Sequence, residues 1–453
     1  MGLSHAIMSP YIMIRRRVQI FYLLVVLFFI IGTLVVLYAQ GWRFDIETRT
    51  INKVGGIFIR SFPDDANILL NNKPIKNESA FLSKGTFISS LSPKTYRVEL
   101  GEPGYDQWRE SVTVSPSLVV ELRYAVLIPQ NATTVAAGLV QNFSVANDIL
   151  TVQGHDGSIV SNGASIGKGI LVDESVDGDS VIIKNQTNGK YLLYQLQNSS
   201  TTDLTAILIK DGAIKSDISN ISFDPYDPNT IIAGGSSKIW LINIAGAKAT
   251  RIEKAPTGET LGNSTMGGSS LVAWTESKKA ETSSTIAIYD ESSGEITASS
   301  SIYGKNSELK WVKDNLLGIL QNDGELYLYD VQAKTIEKIA DDVKYFSPTN
   351  NGSSIAALEN RSMEIIPLND VSEDYYRFNL PDITNVQRVS WYKDSTHLFI
   401  EYGDHVAFLD LKDAGLNNFT TVSAGTAPFY DADKNALYII NQSGNIIKFD
   451  FPS

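Results

Sequence analysis

Residues 315–331 read NLLGILQNDGELYLYDV: an apolar strand, a polar turn at Asn322-Asp323-Gly324, and a second, alternating strand that ends near Asp330. Two apolar runs around an Asp-Gly pair form a hairpin signal, because that pair accepts the positive φ a tight turn requires. The same unit recurs along the chain. NTIIAGGSSKIWLINI begins at Asn229, and SSLVAWTESKKAETSSTIAIYDE at Ser269 carries a longer hairpin. GSSIAALENRSMEIIPL follows from Gly352, STHLFIEYGDHVAFLDL from Ser395 and KNALYIINQSGNIIKFDF from Lys434. Two weaker copies precede them, NDILTVQGHDGSIVS from Asn147 and DSVIIKNQTNGKYLLYQL from Asp179.

A central residue of each second strand gives Ile159, Leu193, Trp240, Ile288, Leu328, Ile365, Phe408 and Ile447, a period near 40 residues. Short strands at that period predict a mainly β protein whose residues 124–453 form a β-propeller. Eight blades are expected. Seven is the alternative, because the first two copies are weak, and a two-sheet sandwich array fits the spacing less well. The last copy stops after its third strand. The strand Tyr124–Ile128, just before the first copy, is expected to supply the missing fourth, since ring closure removes exposed strand edges. Phe223, Trp311, Phe346, Trp391 and Phe429 lie upstream of their hairpins and are expected to pack between blades. Stacking on carbohydrate is the competing role. This half resembles propeller domains of the WD-repeat, quinoprotein-like and translocation-associated classes, although it lacks the Gly-His and Trp-Asp pairs of WD repeats. Such a resemblance implies a fold and a binding habit, not a reaction.

Before the repeats lies a different organisation. Arg15, Arg16 and Arg17 precede Val18–Trp42, which carries no ionisable acid or base. Roughly 20 residues of helix cross a bilayer core, so residues 18–42 are expected to be an uncleaved membrane anchor. A cleaved signal peptide is the alternative, but Leu37, two residues before Ala39, is not the small residue a cleavage site prefers. Positive charge sits only on the N-terminal flank. That places a cytoplasmic tail, 1–17, inside and the bulk of the chain outside the membrane.

After a linker at 43–54, residues 55–123 alternate in short strands separated by turns and predict a small β-sandwich. Here Pro63-Asp64-Asp65-Ala66, the strand Asn67–Leu70, the run Leu91–Tyr96, Gly104-Tyr105, Trp108 and Val112-Thr113-Val114 follow one another in order. This stretch resembles the PEGA domain, with Asp65 and Lys94 where that family has glycine. The resemblance implies an extracytoplasmic module beside a membrane anchor, in contact with envelope or surface-layer components, and carries no catalytic residue. Tyr105 and Trp108 are expected to pack in the sandwich, with a ligand role as the alternative.

Composition narrows the function further. The 453 residues include no Cys, which removes disulfides, thiolate nucleophiles and Cys-ligated metals. Lys and Arg total 38 against 50 Asp and Glu. Such an acidic chain is not expected to bind nucleic acid, which needs concentrated positive charge. Gly163-Ala164-Ser165-Ile166-Gly167 matches a nucleophile-elbow string, but no helix pattern follows, so a β-turn is expected. His155 lies in a turn, and His397 and His405 flank a hairpin with Glu401 between them. A hairpin could bring such residues together, and two imidazoles with a carboxylate can bind a metal, but the spacing fits none of the helical zinc patterns. His5 reads as an ordinary polar residue of the tail. No phosphate-binding glycine loop or calcium loop is present. Asn131, Asn185, Asn263 and Asn441 start glycosylation sequons, which abundant Asn, Ser and Thr produce by chance.

No catalytic, cofactor-binding or metal-ligating residue is therefore assigned. The expected function is a non-enzymatic, membrane-anchored scaffold or binding protein of the cell envelope. It would contact the membrane through residues 18–42 and envelope proteins or cell-surface polysaccharide through the propeller, with self-association open. The alternatives are an envelope enzyme acting on glycan or peptide in the propeller cavity, or a self-assembling surface component.

Overall fold

In the computed structural model, residues 10–45, 50–78, 84–279, 281–304, 307–368, 376–379, 386–412 and 419–452 are described. His5 lies outside them. The chain divides into two compact units, residues 1–129 with 452–453, and residues 130–451.

The first unit opens with helix α1, Pro10–Ala39. Its apolar part, Val18–Ala39, is 22 residues long and none of it is buried within the protein. At 1.5 Å per residue it measures roughly 33 Å, enough for a hydrocarbon core. The helix stops three residues earlier than the uncharged run suggested. Gly41, at φ 86°, turns the chain, and Trp42 already belongs to strand β1, Trp42–Asp45. That strand pairs antiparallel with β2, Thr50–Lys53. The expected linker at 43–54 is thus mostly a hairpin.

A two-sheet sandwich follows. One sheet has β3 (Gly55–Phe62) between β6 (Thr86–Leu91) and β9 (Val119–Val126). The other runs in the order β5 (Lys73–Ile75), β4 (Asn67–Leu70), β7 (Thr95–Gly101), β8 (Trp108–Thr113). Alternation puts Ile57, Ile59, Ile68, Val98, Leu100 and Leu122 into one core. Burying side chains of this size stabilises by about 1.5–3 kcal/mol each.

This sandwich claims the segment expected to close the repeats. Residues Tyr124–Val126 end β9, which pairs parallel with β3, and Leu127 is fully buried in the sandwich core. The strand that pairs with the last repeat is instead β10, Thr133–Ala136, with Thr133 opposite Lys448 and Thr134 opposite Ile447.

Among the described residues, 140–450 form six four-stranded antiparallel sheets followed by one seven-stranded sheet, which divides at a shared strand into two four-stranded units; the eight units are called sheets I to VIII. They cover 140–168, 170–203, 218–254, 259–303, 308–340, 345–379, 386–424 and 425–450, the last completed by β10. Strand Thr420–Asp431 serves two sheets: its first residues pair with 405–408 and its last with 436–441. All eight marker residues, Ile159 to Ile447, fall on the third strand of their sheet. The fold is mainly β, with a repeated, propeller- or solenoid-like arrangement of sheets. Among the described residues one short α-helix interrupts it, α2 (Leu204–Lys210), capped by Asp203, which accepts from the Ala206 amide. Its Leu204 and Leu208 are buried between sheets II and III.

A recurrent turn joins the first two strands in sheets II, III, VI and VII. Between first and second strands, Ser175 donates its amide to Ser180 O, Asp224 to Thr230 O, Thr349 to Ser354 O and Tyr392 to His397 O, each at 2.9–3.0 Å. A carboxylate or amide inside the loop accepts from its own turn, as Asp394 does from the amides of Thr396 (2.9 Å) and His397 (3.1 Å). Such Asx-type turns let short polar side chains replace backbone partners.

Candidate functional site

Neighbouring sheets are joined first by side chains of the repeat. Trp311 donates its indole N–H to Thr265 O of sheet IV at 3.5 Å, and its ring fills the space beside Gly267 where a Cβ would collide. Trp391 donates to Ser347 O of sheet VI at 3.2 Å. Phe346 is fully buried against Gly318, and Phe223 is buried in the core that sheets II and III share. These four pack between sheets as expected. Phe429 differs. It is 39% exposed, and Tyr430 takes the interior place, with its ring 4.8 Å from Tyr392.

Polar ties run between the sheets as well. Gln153 accepts from the Leu171 amide at 2.8 Å, and Glu401 accepts from the Ala427 amide at 3.0 Å. Asp173 accepts from the Phe223 amide at 2.8 Å. Its neighbour Glu174 accepts from Ser144 and, at 2.7 Å, from Thr151, both in sheet I. Burial pushes the Glu174 carboxyl up to about 7 despite those hydrogen bonds, and burial raises Asp173 as well. Composition could not single out these two among 50 acidic residues; their place beside the recurrent turn is the signal that could have.

The histidines do not meet. His397 and His405 sit at opposite ends of their hairpin, facing Asp410 and Tyr402 in the register. His397 is 1% exposed and lies between Asp394, 2.7 Å from Nδ1, and Asp410, 3.6 Å from Nε2. Burial works against its charge. The hydrogen bonds and charges of the two carboxylates outweigh burial and push it up to about 9, which favours the protonated imidazole. His405 pairs with Asp404 at 2.6 Å at the surface, and Glu401 is occupied with Ala427. Among the described residues no group of three or more His, Cys, Asp or Glu could hold a metal ion.

Ser165 lies exposed on the strand Ala164–Lys168, after a turn at Asn162-Gly163. An elbow nucleophile needs the turn from a strand into a helix, and none follows. Trp108 is 6% exposed in the sandwich core, and Tyr105 packs against that core.

His155 stands at the rim of a feature the sequence did not announce. Between β10 and sheet I runs a groove with a volume of about 680 Å³. Val135, Leu139, Leu150, Val152 and Val160 give it apolar walls, and Asp148, His155 and Asp156 mark its edge. It lies where the last sheet meets the first. Val140, Ile440 and Ile446 form one buried cluster there, the Val140 amide donates to Gly444 O at 2.9 Å, and Lys434 pairs with Asp148 at 2.7 Å. Inner strands are well packed at this junction. The outer part is not, because β10 contributes only four residues to cover the face of sheet I.

No family model matches the chain, and no curated protein matches it. Solved structures do. The chain is similar to the β-propeller domain of Cps50 (Swd1) from Myceliophteria thermophila at 11% identity, covering 71% of this chain and 99% of that one, with a TM-score of 0.43. Oligogalacturonate lyase from Vibrio parahaemolyticus matches at 12% identity, over 70% of this chain and 99% of that one, with a TM-score of 0.44. Dipeptidyl peptidase 4 from Porphyromonas gingivalis matches at 10% identity, over 67% of this chain and 56% of that one, with a TM-score of 0.49.

Proposed function

We propose that this chain is a single-pass membrane protein that displays an eight-bladed β-propeller on the outer side and binds an envelope protein there. In this reading residues 1–17 are cytoplasmic, α1 spans the bilayer, and the PEGA-like sandwich lies outside with sheets I to VIII. Arg15–Arg17 on the N-terminal flank support this orientation. Ring closure is supported by β10 completing sheet VIII and by the cluster that sheets VIII and I share.

The observation that carries the binding function is the groove beside β10. Apolar walls with a polar rim suit a protein segment. A polysaccharide fits less well, because sugar recognition favours aromatic platforms and no Phe, Tyr or Trp lines the groove. After its three N-terminal arginines, the chain holds 35 basic residues against 50 acidic ones, which favours basic or neutral partners. A photo-crosslinking residue placed at Leu139 or Val160 of the full-length protein is expected to capture a distinct partner in the native membrane. The same residue at Ile209, exposed on α2, is the control. Equal capture at all three positions, or none at the groove, contradicts the assignment.

A second reading, an envelope enzyme acting on glycan or peptide, draws on Glu174, whose raised carboxyl is the kind of group that serves as a general acid. Its oxygens are occupied by Ser144 and Thr151, which favours a structural role. Turnover of cell-wall glycans or peptides that Glu174→Gln abolishes without unfolding the protein would move the weight to catalysis.

A further inference from the structure

The β1–β2 hairpin forms a two-stranded sheet of its own, hydrogen-bonded to no other sheet among the described residues. Isolated two-stranded hairpins are marginal in water. This one exposes apolar side chains rather than hiding them. Phe44 and Ile51 stand directly opposite each other, 61% and 63% exposed. Trp42 and Lys53 are the next opposed pair on the same face, with the Lys53 ammonium 5.5 Å from the Trp42 ring. One face thus carries an indole, a phenyl ring, an isoleucine and a cation, and among the described residues none covers the Phe44–Ile51 pair.

Its place in the chain says what does. Trp42 follows the end of α1 by three residues. Arg43, on the opposite face of the hairpin, is tied back to the helix end. Its guanidinium donates to Tyr38 O at 2.6 Å and stacks on the Tyr38 ring at 3.5 Å. The Gly41 amide also donates to Tyr38 O, at 3.1 Å, and the Val54 amide to Gly41 O, at 2.9 Å. The start of the hairpin is therefore fixed to the last turn of the helix, and its end to Gly41 just beyond that turn. Each polar layer of a bilayer is about 5–8 Å deep, and a four-residue strand spans roughly 13 Å. A hairpin fastened this close to the end of a spanning helix sits in or against that layer.

We propose that the β1–β2 hairpin is a second membrane anchor, which lays Trp42, Phe44, Ile51 and Lys53 on the phospholipid surface where α1 leaves the bilayer. Aromatic rings with a polar edge suit the headgroup boundary, and a Lys ammonium meets the phosphates. The lipid surface removes the Phe44–Ile51 pair from water and supplies the partner that a lone hairpin lacks. The proposal rests on α1 spanning the membrane.

The chain has no native cysteine, so one introduced thiol reports one position. Full-length Phe44→Cys and Ile30→Cys are each labelled with an environment-sensitive fluorophore. They are placed in nanodiscs of phosphatidylcholine and phosphatidylglycerol, with nitroxides held either shallow or deep on the acyl chains. Quenching at residue 30 by the deep nitroxide together with quenching at residue 44 by the shallow one is the expected result. Ile51→Cys repeats the measurement on the opposite strand, in case the first variant disturbs the hairpin. If residue 30 is quenched while residues 44 and 51 match nanodiscs without nitroxide, the hairpin proposal is overturned and the span stands. If residue 30 is quenched by neither, the span fails and the hairpin proposal fails with it.

Discussion

His397 shows how far a single residue can be read. The sequence offers it as one member of a His, Glu and His hairpin, which suggests metal chemistry. In the fold it is enclosed, hydrogen-bonded to Asp394 and with Asp410 at 3.6 Å, and it stacks on Phe408 at 5.0 Å. Its folded pKa, about 9, exceeds the ordinary value of 6.5. Its contribution to stability is therefore complete below pH 6.5 and lost as pH rises through about 9. Wild type is expected to unfold at a higher temperature than His397→Gln at pH 6, with the gap narrowing above about pH 6.5 and closed once the pH has passed about 9, measured as unfolding midpoints across pH. Glu174 behaves in the opposite sense. Its folded pKa of about 7 exceeds the ordinary 4.5, so ionisation destabilises the fold progressively from pH 4.5 to 7 and fully above that. Glu174→Gln is expected to remove that loss, raising the unfolding midpoint at pH 8 while leaving it near wild type at pH 4. Neither carboxylate partnership was legible in one dimension, because Asp173 and Glu174 reach partners in sheets I and III that only the packing of sheets brings near.

At the scale of the element, hairpin patterns were the legible part. Each apolar run with an Asn, Asp or Gly turn became a strand pair, and the marker residues all landed on third strands. Boundaries that depend on competition were not legible. Tyr124–Val126 is as apolar as any closing strand, but β3 lies adjacent and takes it into the sandwich. The shorter Thr133–Ala136 was left to complete sheet VIII. Phe429 was misplaced by one residue for a similar reason. The register shifts between Thr426 and Phe429, so Tyr430 points inward instead, and a one-residue slip exchanges the faces of a strand. Helix α2 is too short for its Leu204 and Leu208 to stand out against the surrounding strands. The closing assignment can be tested directly. Thr133 and Lys448 are cross-strand partners, and opposed antiparallel residues lie within disulfide reach. Cysteines at both positions are expected to oxidise within the monomer and raise stability by about 2–4 kcal/mol, seen as a reductant-sensitive unfolding midpoint. A pair that stays reduced, or that links two chains, would place β10 elsewhere.

Across the whole molecule, the apolar helix, the small sandwich and the eight repeats were all visible as changes of period along the chain. The groove was not, since it arises where the two ends of the repeat array meet and a four-residue strand covers too little of sheet I. Function follows from that placement only if the repeats face the side where an envelope partner is found. Topology is therefore the central claim, and a chain without cysteine makes it measurable. Ser165→Cys, exposed on sheet I, and His5→Cys, in the tail, are each expressed in the full-length protein and treated in intact cells with a maleimide that cannot cross the membrane. The account predicts that residue 165 is labelled in intact cells and that residue 5 is labelled only after permeabilisation. Labelling of residue 5 but not of residue 165 in intact cells would put the repeats in the cytoplasm and contradict it.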